Sequence, residues 1–403
     1  MDFRLSDEQR LLQDSVRKTL AKEYSFAKRA VISASEDLSA KMWHTFAEHG
    51  WFAASFPEEV GGFATSGIES MVVMEELGRH LVIEPVLWSV VIAGQMVLGM
   101  ADGKRRQSLC EAVIAGGLRL GIALFESEVW DDLSGLSTRA AGVGGRYVLS
   151  GCKQLVYGAR SADKFVVAAT TPDSGAEFPE LTLFLVDRHA QGISLRDGMT
   201  LDGRPFSTLT LDDVPVEATE IVGSAADGRS LIENALDHGI AALCAQALGS
   251  MAHLIEATAA HLKTRQQYGA PLARLQALQH RMADMYVAVE LSRSMCQVAT
   301  MSLQAERDIR SAYTSAAKVQ MSQAARFVGQ QAVQLHGAMG MSEALDISHH
   351  FTFLTLFTLL LGDERYHLDR FSRLSERLEE SDIVGFSSAG LQPPPAAPGG
   401  QRP

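Results

Sequence analysis

A cationic excess, paired cysteines and long apolar runs are all missing from this chain. Its 403 residues include 36 lysines and arginines against 48 aspartates and glutamates, a formal net charge of -12. This balance argues against a nucleic-acid partner, which needs a basic surface to displace counterions from phosphates. The four cysteines are scattered and form no CxxC pair. Structural zinc and a disulfide framework are therefore not expected, and a reducing cytoplasm is indicated.

No targeting or membrane-spanning segment is expected either. Residues 1–8 carry no cationic, apolar signal pattern. The most apolar late stretch, 351–361, contains threonines and is too short to cross a bilayer. With 46% hydrophobic and 21% charged residues, the composition is that of a globular chain, long enough for two or three domains.

The first 118 residues are predicted to be helical. Ser6, followed by Glu8 and Gln9, is a plausible helix start, and apolar residues then recur at helical spacing. Two further helices are predicted at 38–49 and 69–77. A turn-rich loop separates them.

The pattern changes in the middle of the chain and changes back later. Short β-prone runs between 119 and 223, separated by Gly, Asp and Pro, predict an antiparallel barrel or sandwich. From 224 to 382 the pattern is helical again, and alanine-rich segments favour close helix packing in an antiparallel bundle. Residues 383–403, rich in Pro and Gly, are predicted to be a disordered tail.

Two short runs in the last part suggest a ligand site. In the run 265–272, an arginine stands at the end of one predicted helix, before a turn, and its planar fork of donors suits a pyrophosphate. In the run 334–341, two glycines let the backbone approach a ligand beside amide and imidazole side chains. Each run alone is more often an ordinary helix end.

Taken together, the two runs resemble the C-terminal helical domain of the acyl-CoA dehydrogenase family. Pro57-Glu58-Glu59 before Gly61-Gly62, the stretch 75–79, and Tyr147 to Lys153 resemble that family's other two domains. The resemblance covers about residues 1–380. It implies an α+β fold with an N-terminal helical domain, a middle antiparallel β-domain and a C-terminal four-helix bundle. More narrowly, the stretch 361–368 is similar to the pimeloyl-CoA dehydrogenase small-subunit branch, which includes subunits of bacterial heteromeric enzymes.

The family's cofactor is FAD, and its binding positions carry over by motif. Arg265 matches the pyrophosphate-binding arginine. Ala338 replaces the second glycine of the other run. The cofactor-binding residues that the resemblance implies are Arg265, Gln267, Tyr268, Gln276, Gln334, Gly337 and Ala338.

The flavin-ring half of the site departs from the family. Where members carry Thr-Glu-Pro, this chain has Phe125-Glu126-Ser127, and Val156-Tyr157 replaces an expected tryptophan and threonine. A large phenylalanine in place of a small hydroxyl residue is expected to obstruct the isoalloxazine ring. The adenine half is expected to be intact.

The catalytic base departs furthest. The family's reaction needs a carboxylate to remove the α-proton while the β-hydrogen leaves as hydride to the flavin. The two family positions for that base are Leu361 and, approximately, Gly239 here. The nearest carboxylates, Asp363 and Glu364, are therefore the predicted catalytic residues, with Asp237 close to the second position. The alternative for Asp363 and Glu364 is that they only solvate a helix end.

Three hypotheses follow for the function. The chain is a catalytic acyl-CoA dehydrogenase with a displaced base, a partner subunit that completes FAD binding for a catalytic chain, or a scaffold that kept only the fold. The expected partners are an acyl-CoA substrate, a second dehydrogenase subunit in a heterotetramer, and an electron-transfer flavoprotein. Because the net charge is negative, local lysines and arginines must attract the CoA ester. No metal site is predicted, because the adjacent His349 and His350 would diverge on a helix.

Overall fold

The computed structural model describes residues 4–126, 133, 136–143, 145–171, 180–224 and 227–378. Six helices come first, then a sheet, then five more helices. This order agrees with the predicted succession of helical, β and helical parts. The predicted tail at 383–403 and the stretch 127–132 lie outside the described residues.

The N-terminal part is built from amphipathic helices around an aromatic core. Ser6 caps the first helix in a capping box with Gln9, as its spacing predicts. Trp43, Phe46 and Phe52 are buried between these helices. The helices are α1 (Asp7–Glu23), α2 (Phe26–Ser33), α3 (Glu36–Glu48), α4 (Ile68–Arg79), α5 (Ala93–Leu98, continuing a π-helical segment Val86–Ile92) and α6 (Gly103–Ile114).

The middle part is one eight-stranded sheet, mostly antiparallel. Its order is β6-β7-β3-β2-β4-β5-β8, with β1 pairing in parallel beside β4 and one parallel residue pair between β2 and β4. A second apolar cluster lies against it, separate from the main core. The strands are β1 (Leu120–Ala123), β2 (Arg139–Val143), β3 (Arg146–Tyr157), β4 (Lys164–Thr171), β5 (Glu180–Asp187), β6 (Ile193–Met199), β7 (Pro205–Glu217) and β8 (Ile221–Val222).

The C-terminal part consists of three long helices and two short ones. They are α7 (Gly228–Thr264), α8 (Gln276–Met301), α9 (Arg307–His336), α10 (Asp346–Phe357) and α11 (Glu364–Ser375), with a small hairpin, β9 (Gln266–Gln267) and β10 (Ala270–Pro271), between α7 and α8. The buried alanines of α7 and α9 allow the close packing that the sequence predicts.

Helix α7 is the centre of the molecule. It contacts α4, α8, α9 and α10 as well as the π-helical segment. At the crossing with α4, a Cβ added to Gly249 would lie 1.8 Å from the Glu75 carbonyl oxygen, so only glycine fits. Among the described residues α7 alone is long and apolar enough to cross a membrane, but 78% of that window is buried inside the protein. It is therefore a core helix here.

Candidate functional site

The two runs that suggest FAD binding lie side by side. Arg265 is the C-cap of α7, and Gly337 is the C-cap of α9. One turn before Arg265, His261 stacks on His336, with ring centroids 4.4 Å apart. The fold thus joins two segments that are about seventy positions apart in the sequence.

All seven predicted cofactor-binding residues are exposed. Tyr268, at the tip of the β9–β10 hairpin, is 93% exposed, and the backbone there turns through positive φ at Tyr268 and Gly269. Gly337 also has positive φ, and nothing lies within 4 Å of where its Cβ would be. The backbone at this end is therefore open to a ligand, as the predicted binding of the adenine half of FAD requires.

The start of the flavin-ring half is fixed by a buried ion pair. Lys153 Nζ lies 2.8 Å from Glu126 Oε1 and also donates to the Leu124 carbonyl oxygen. Burial lowers the pKa of Lys153 to about 8. Burial raises the pKa of Glu126, but hydrogen bonds from Lys153, Ser137 and Thr138 outweigh this and bring it down to about 2. Both groups are therefore charged at neutral pH and hold β1 to β3.

Large side chains occupy the positions where the family has small ones. Phe125 is buried and lines the crevice between the sheet and α7. Tyr157 is buried too, and its ring stacks on Trp88, with centroids 4.3 Å apart and planes within 6°. Phe125 and Tyr157 therefore leave less room for an isoalloxazine ring than the small residues of the family would.

The two family positions for the base lie against each other, and both are apolar. A Cβ added to Gly239 would lie 3.4 Å from Leu361 Cδ1 and 2.6 Å from Ile92 Cδ1. Leu361 is 5% exposed. The two positions are thus close in space, and neither side chain offers a proton acceptor.

Leu361 and Gly362 form a sharp backbone turn before α11, called the Leu361–Gly362 corner below. Two buried basic side chains hold its backbone. Leu361 and Gly362 both have positive φ, and a Cβ on Gly362 would lie 2.4 Å from the Tyr366 ring. The Leu361 carbonyl oxygen is 2.9 Å from His367 Nε2, and the Gly362 carbonyl oxygen is 2.8 Å from Lys318 Nζ. Burial lowers the pKa of Lys318 to about 8. Burial, reinforced by the Lys318 charge, lowers the pKa of His367 to about 3, so the imidazole is neutral.

Asp363 and Glu364 lie just beyond this corner but do not line the crevice. The Asp363 carboxylate accepts a hydrogen bond from the Tyr366 amide and caps α11. Glu364 accepts a hydrogen bond from Gln323 and pairs with Arg326. Their role as the base stays a prediction, and the capping contact favours the alternative of a helix-end carboxylate.

Asp237 is fully buried and engaged by four side chains. Arg310 and Arg370 donate to it at 3.2 and 2.8 Å. The hydroxyl groups of Ser311 and Thr314 donate at 2.7 and 3.1 Å. Through these contacts Asp237 connects α7 to α9 and α11.

The crevice beside Leu361 is apolar on one wall, and its other wall carries arginines. Its volume is about 410 Å³. Among the described residues, Arg229 and Arg377 have no acidic partner, and Arg373 donates only to the Asp369 carbonyl oxygen. The arginines lining it are Arg229, Arg307, Arg370, Arg373 and Arg377. Two carboxylates, Glu233 and Asp308, line the crevice with them, so positive side chains are in excess.

The histidines near α10 form a closed network. His253 Nε2 lies 2.8 Å from Asp346 Oδ2, and Ser250 Oγ lies 2.7 Å from His350 Nδ1. The ligand atoms of His253, Asp346 and His350 are within 4.8 Å of one another. His349, as predicted, points elsewhere, toward the Glu343 carbonyl oxygen. The prediction that the chain has no metal site is left untested by this arrangement.

Several residues of the site were not found from the sequence. Lys318 and His367 give no local signal, because the sequence around a basic residue does not show whether the fold will bury it. Three arginines did give one: Arg370 and Arg373 of α11 and Arg377 just after it recur at helical spacing, which predicts a shared face.

Comparison with known proteins agrees with this geometry. Residues 6–117, 121–214 and 226–374 match the family descriptions "Acyl-CoA dehydrogenase, N-terminal domain", "middle domain" and "C-terminal domain". The caffeyl-CoA reductase-Etf complex subunit CarC of Acetobacterium woodii is 25% identical, covering 89% of this chain and 95% of that protein.

Two solved structures are similar over nearly the whole chain. A variant of the Tcur3481-Tcur3483 steroid ACAD is 28% identical with a TM-score of 0.81, covering 92% of this chain and 98% of its own. The ChsE4-ChsE5 complex of Mycobacterium tuberculosis is 24% identical with a TM-score of 0.82, covering 94% and 100%. Together the three matched domains cover most of residues 6–374. The chain therefore belongs to the acyl-CoA dehydrogenase family of FAD-dependent oxidoreductases.

Proposed function

We propose that this chain is one subunit of a heteromeric acyl-CoA dehydrogenase, and that it completes the FAD site of a partner chain without supplying the catalytic base. The observation that carries this proposal is the pair Gly239 and Leu361. They face each other at the two positions where the family places a glutamate, and both are apolar. When bound, FAD accepts the β-hydrogen as hydride, which leaves α-proton removal to a carboxylate of the protein.

The exposed adenine half supports the assignment to a partner subunit. Arg265, Gln276 and Gln334 are on the surface, where their donors can reach a cofactor whose ring lies in another chain. Exposed apolar side chains surround them, and exposed patches of this kind mark contact surfaces. These are Tyr268, Leu275, Met339 and Met341. The structural relatives named for two gene products, Tcur3481-Tcur3483 and ChsE4-ChsE5, are in line with a heteromer.

The arginine crevice supports an acyl-CoA ligand. Guanidinium groups suit the phosphates of CoA, and the apolar wall of Phe125, Ile240 and Leu361 suits an acyl group. In this subunit such a ligand would be held but not deprotonated. We further infer a cytoplasmic location and an electron-transfer flavoprotein as the acceptor, the latter in keeping with the name of the relative CarC, a subunit of an Etf complex.

A second function is favoured by the place of Asp363 and Glu364 in the chain. Both directly follow Leu361 and Gly362 in the sequence, and Leu361 lines the crevice. If one of them acts as the base, the chain itself is a catalytic dehydrogenase with a displaced base.

A visible spectrum distinguishes these functions. The chain is purified alone and after co-expression with the dehydrogenase subunit encoded beside it. The proposal predicts a colourless chain alone and a yellow complex with one FAD per pair of chains, bleached by an acyl-CoA. A lone chain that is yellow and bleached by an acyl-CoA would overturn it in favour of the displaced base. A yellow complex whose flavin content and activity are unchanged by Arg265→Ala would show that the chain is only a scaffold.

A further inference from the structure

Helices α7 and α10 bring two histidines and one aspartate together. Asp346 and His350 are four residues apart on α10 and therefore share one face of that helix. His253 faces them from α7, and its Nε2 lies 2.8 Å from Asp346 Oδ2. One nitrogen or oxygen atom of each of these three side chains, called the His253–Asp346–His350 cluster below, lies within 4.8 Å of the others. Imidazole nitrogens and carboxylate oxygens are ligands that zinc takes in proteins.

The deepest member of the cluster, His350, has one ring nitrogen engaged and the other free. The residue is 2% exposed, and its Nδ1 lies 2.7 Å from Ser250 Oγ. Its Nε2 makes no hydrogen bond to any described residue. Burial lowers the pKa of His350 well below its ordinary value, so the imidazole is neutral at pH 7. A neutral imidazole whose Nδ1 hydrogen is donated to a fixed oxygen keeps its Nε2 lone pair for a metal ion.

The other two members are within reach of solvent. The side chains of His253 and Asp346 are 26% and 30% exposed, which gives an ion a path to the cluster. Burial raises the pKa of Asp346, but the hydrogen bond from His253 outweighs this and lowers it, so the carboxylate is charged. The His253 ring stacks on His350 with centroids 4.5 Å apart. A shared ion therefore requires the partly exposed His253 ring to turn about χ2, and the ion replaces the hydrogen between His253 and Asp346.

The charges around the cluster decide which ion suits it. The side chains that act electrostatically on His350 are His253, Arg29, His80 and His349, and all four are basic. The cluster itself holds one carboxylate. Calcium and magnesium depend on oxygen ligands, several of them charged, and are not favoured here. Zinc binds neutral imidazole well, although the nearby positive charge limits its affinity.

We propose that His253, Asp346 and His350 bind one Zn²⁺ ion, with water as the fourth ligand, and that the ion fastens α10 to α7. The expectation of no metal site concerned the adjacent His349 and His350, whereas His253 and Asp346 are 93 positions apart. The inference does not rest on the proposed function. The cluster contains none of the residues assigned to FAD, to the base or to the arginine crevice, and the test needs no turnover.

The test is a zinc titration of the full chain, in complex with its partner if it purifies in that form. The protein carries no polyhistidine tag and is freed of metal with a chelator that is then removed. Isothermal titration calorimetry gives the stoichiometry and the dissociation constant. Co²⁺ in place of Zn²⁺ reports the ligand geometry through its visible absorption. Thermal unfolding with and without Zn²⁺ shows whether the folded chain is what binds the ion.

The proposal predicts one Zn²⁺ per chain, with a dissociation constant on the order of 10 μM or below, and a higher melting temperature with zinc. His253→Gln and Asp346→Asn should each weaken binding by about 100-fold or more, and Ser250→Ala by about 10-fold, because Ser250 only orients His350. The matched control is His349→Gln, whose ring contacts the Glu343 carbonyl oxygen instead. It should change the affinity by less than about 2-fold.

Three results would overturn the proposal. The first is the absence of binding at one ion per chain. The second is binding that His253→Gln and Asp346→Asn leave unchanged, which would indicate an adventitious ion only. The third is an equal loss of affinity in His349→Gln. Because His253 and Asp346 are partly exposed, their variants are expected to fold even if Ser250→Ala does not, so the test stands in either case.

Discussion

The neutral imidazole of His367 predicts a specific loss of stability in acid. In the folded protein its pKa is lowered from 6.5 to about 3, chiefly by burial and then by the nearby Lys318 charge. Between these two values the unfolded chain binds a proton that the folded chain does not. The free energy of unfolding therefore falls as the pH drops through 6.5 toward 3.

The size of the stability loss follows from the difference between the pH and the pKa of the unfolded imidazole. At pH 5 the unfolded imidazole is about 1.5 pH units below its pKa of 6.5, and each unit is worth about 1.36 kcal/mol. The group is fully buried, so solvent screening reduces this little. His367 alone should remove about 2 kcal/mol of stability between pH 7 and pH 5.

His367→Gln isolates this contribution. Glutamine does not titrate but can still donate to the Leu361 carbonyl oxygen, so the corner keeps its hydrogen bond. Urea unfolding at pH 7 and pH 5, at constant ionic strength, should show the variant losing about 2 kcal/mol less than the unmodified chain. His350, whose pKa burial also lowers, contributes equally to both proteins and cancels.

His44→Gln, an exposed position, is the control and should keep the full pH dependence. If His367→Gln loses as much stability as the unmodified chain, the imidazole is protonated in the folded state and the account of the corner is wrong.

Three other substitutions test the site and the fold. Arg265→Ala should weaken FAD binding to the complex by about 10- to 100-fold, as expected for the loss of a charged hydrogen bond to phosphate. The control Arg274→Ala, at another exposed arginine, should not weaken it. Flavin release on dilution measures both, and equal release from the two variants would contradict the assignment. Lys153→Met should destabilise the chain by about 2–4 kcal/mol, because it leaves the Glu126 carboxylate without its cation. Adding Glu126→Gln should restore part of this stability in thermal unfolding, and no recovery would refute the ion-pair account. Gly249→Ala should cost at least about 2 kcal/mol because its methyl group meets the backbone of α4, and a neutral result in urea unfolding would show that the helices are not in contact there.

Local patterns predicted the fold well. The capping residue Ser6, the turn after Arg265 and the alanine-rich faces of α7 and α9 each depend on neighbours in the sequence, and each was found where its pattern placed it. The parallel pairing of β1 with β4 was not predicted, because strand partners are chosen by the tertiary fold and not by the strand itself.

The site was only partly predictable for the same reason. The motif residues Arg265 and Gln334 could be named from sequence, but their proximity comes from the packing of α7 against α9. The apolar nature of positions 239 and 361 was visible in the sequence, and the structure adds that they face each other.

The central claim is that this chain supplies no base, and one rate tests it directly. The flavin of the co-purified complex is reduced by an acyl-CoA in a stopped-flow instrument, with the unmodified chain, with Asp363→Asn and Glu364→Gln combined, and with the exposed controls Asp369→Asn and Glu376→Gln combined. The account predicts that all three complexes bleach at the same rate within about 2-fold. A fall of about 100-fold or more confined to the first pair would identify Asp363 or Glu364 as the base and contradict the account.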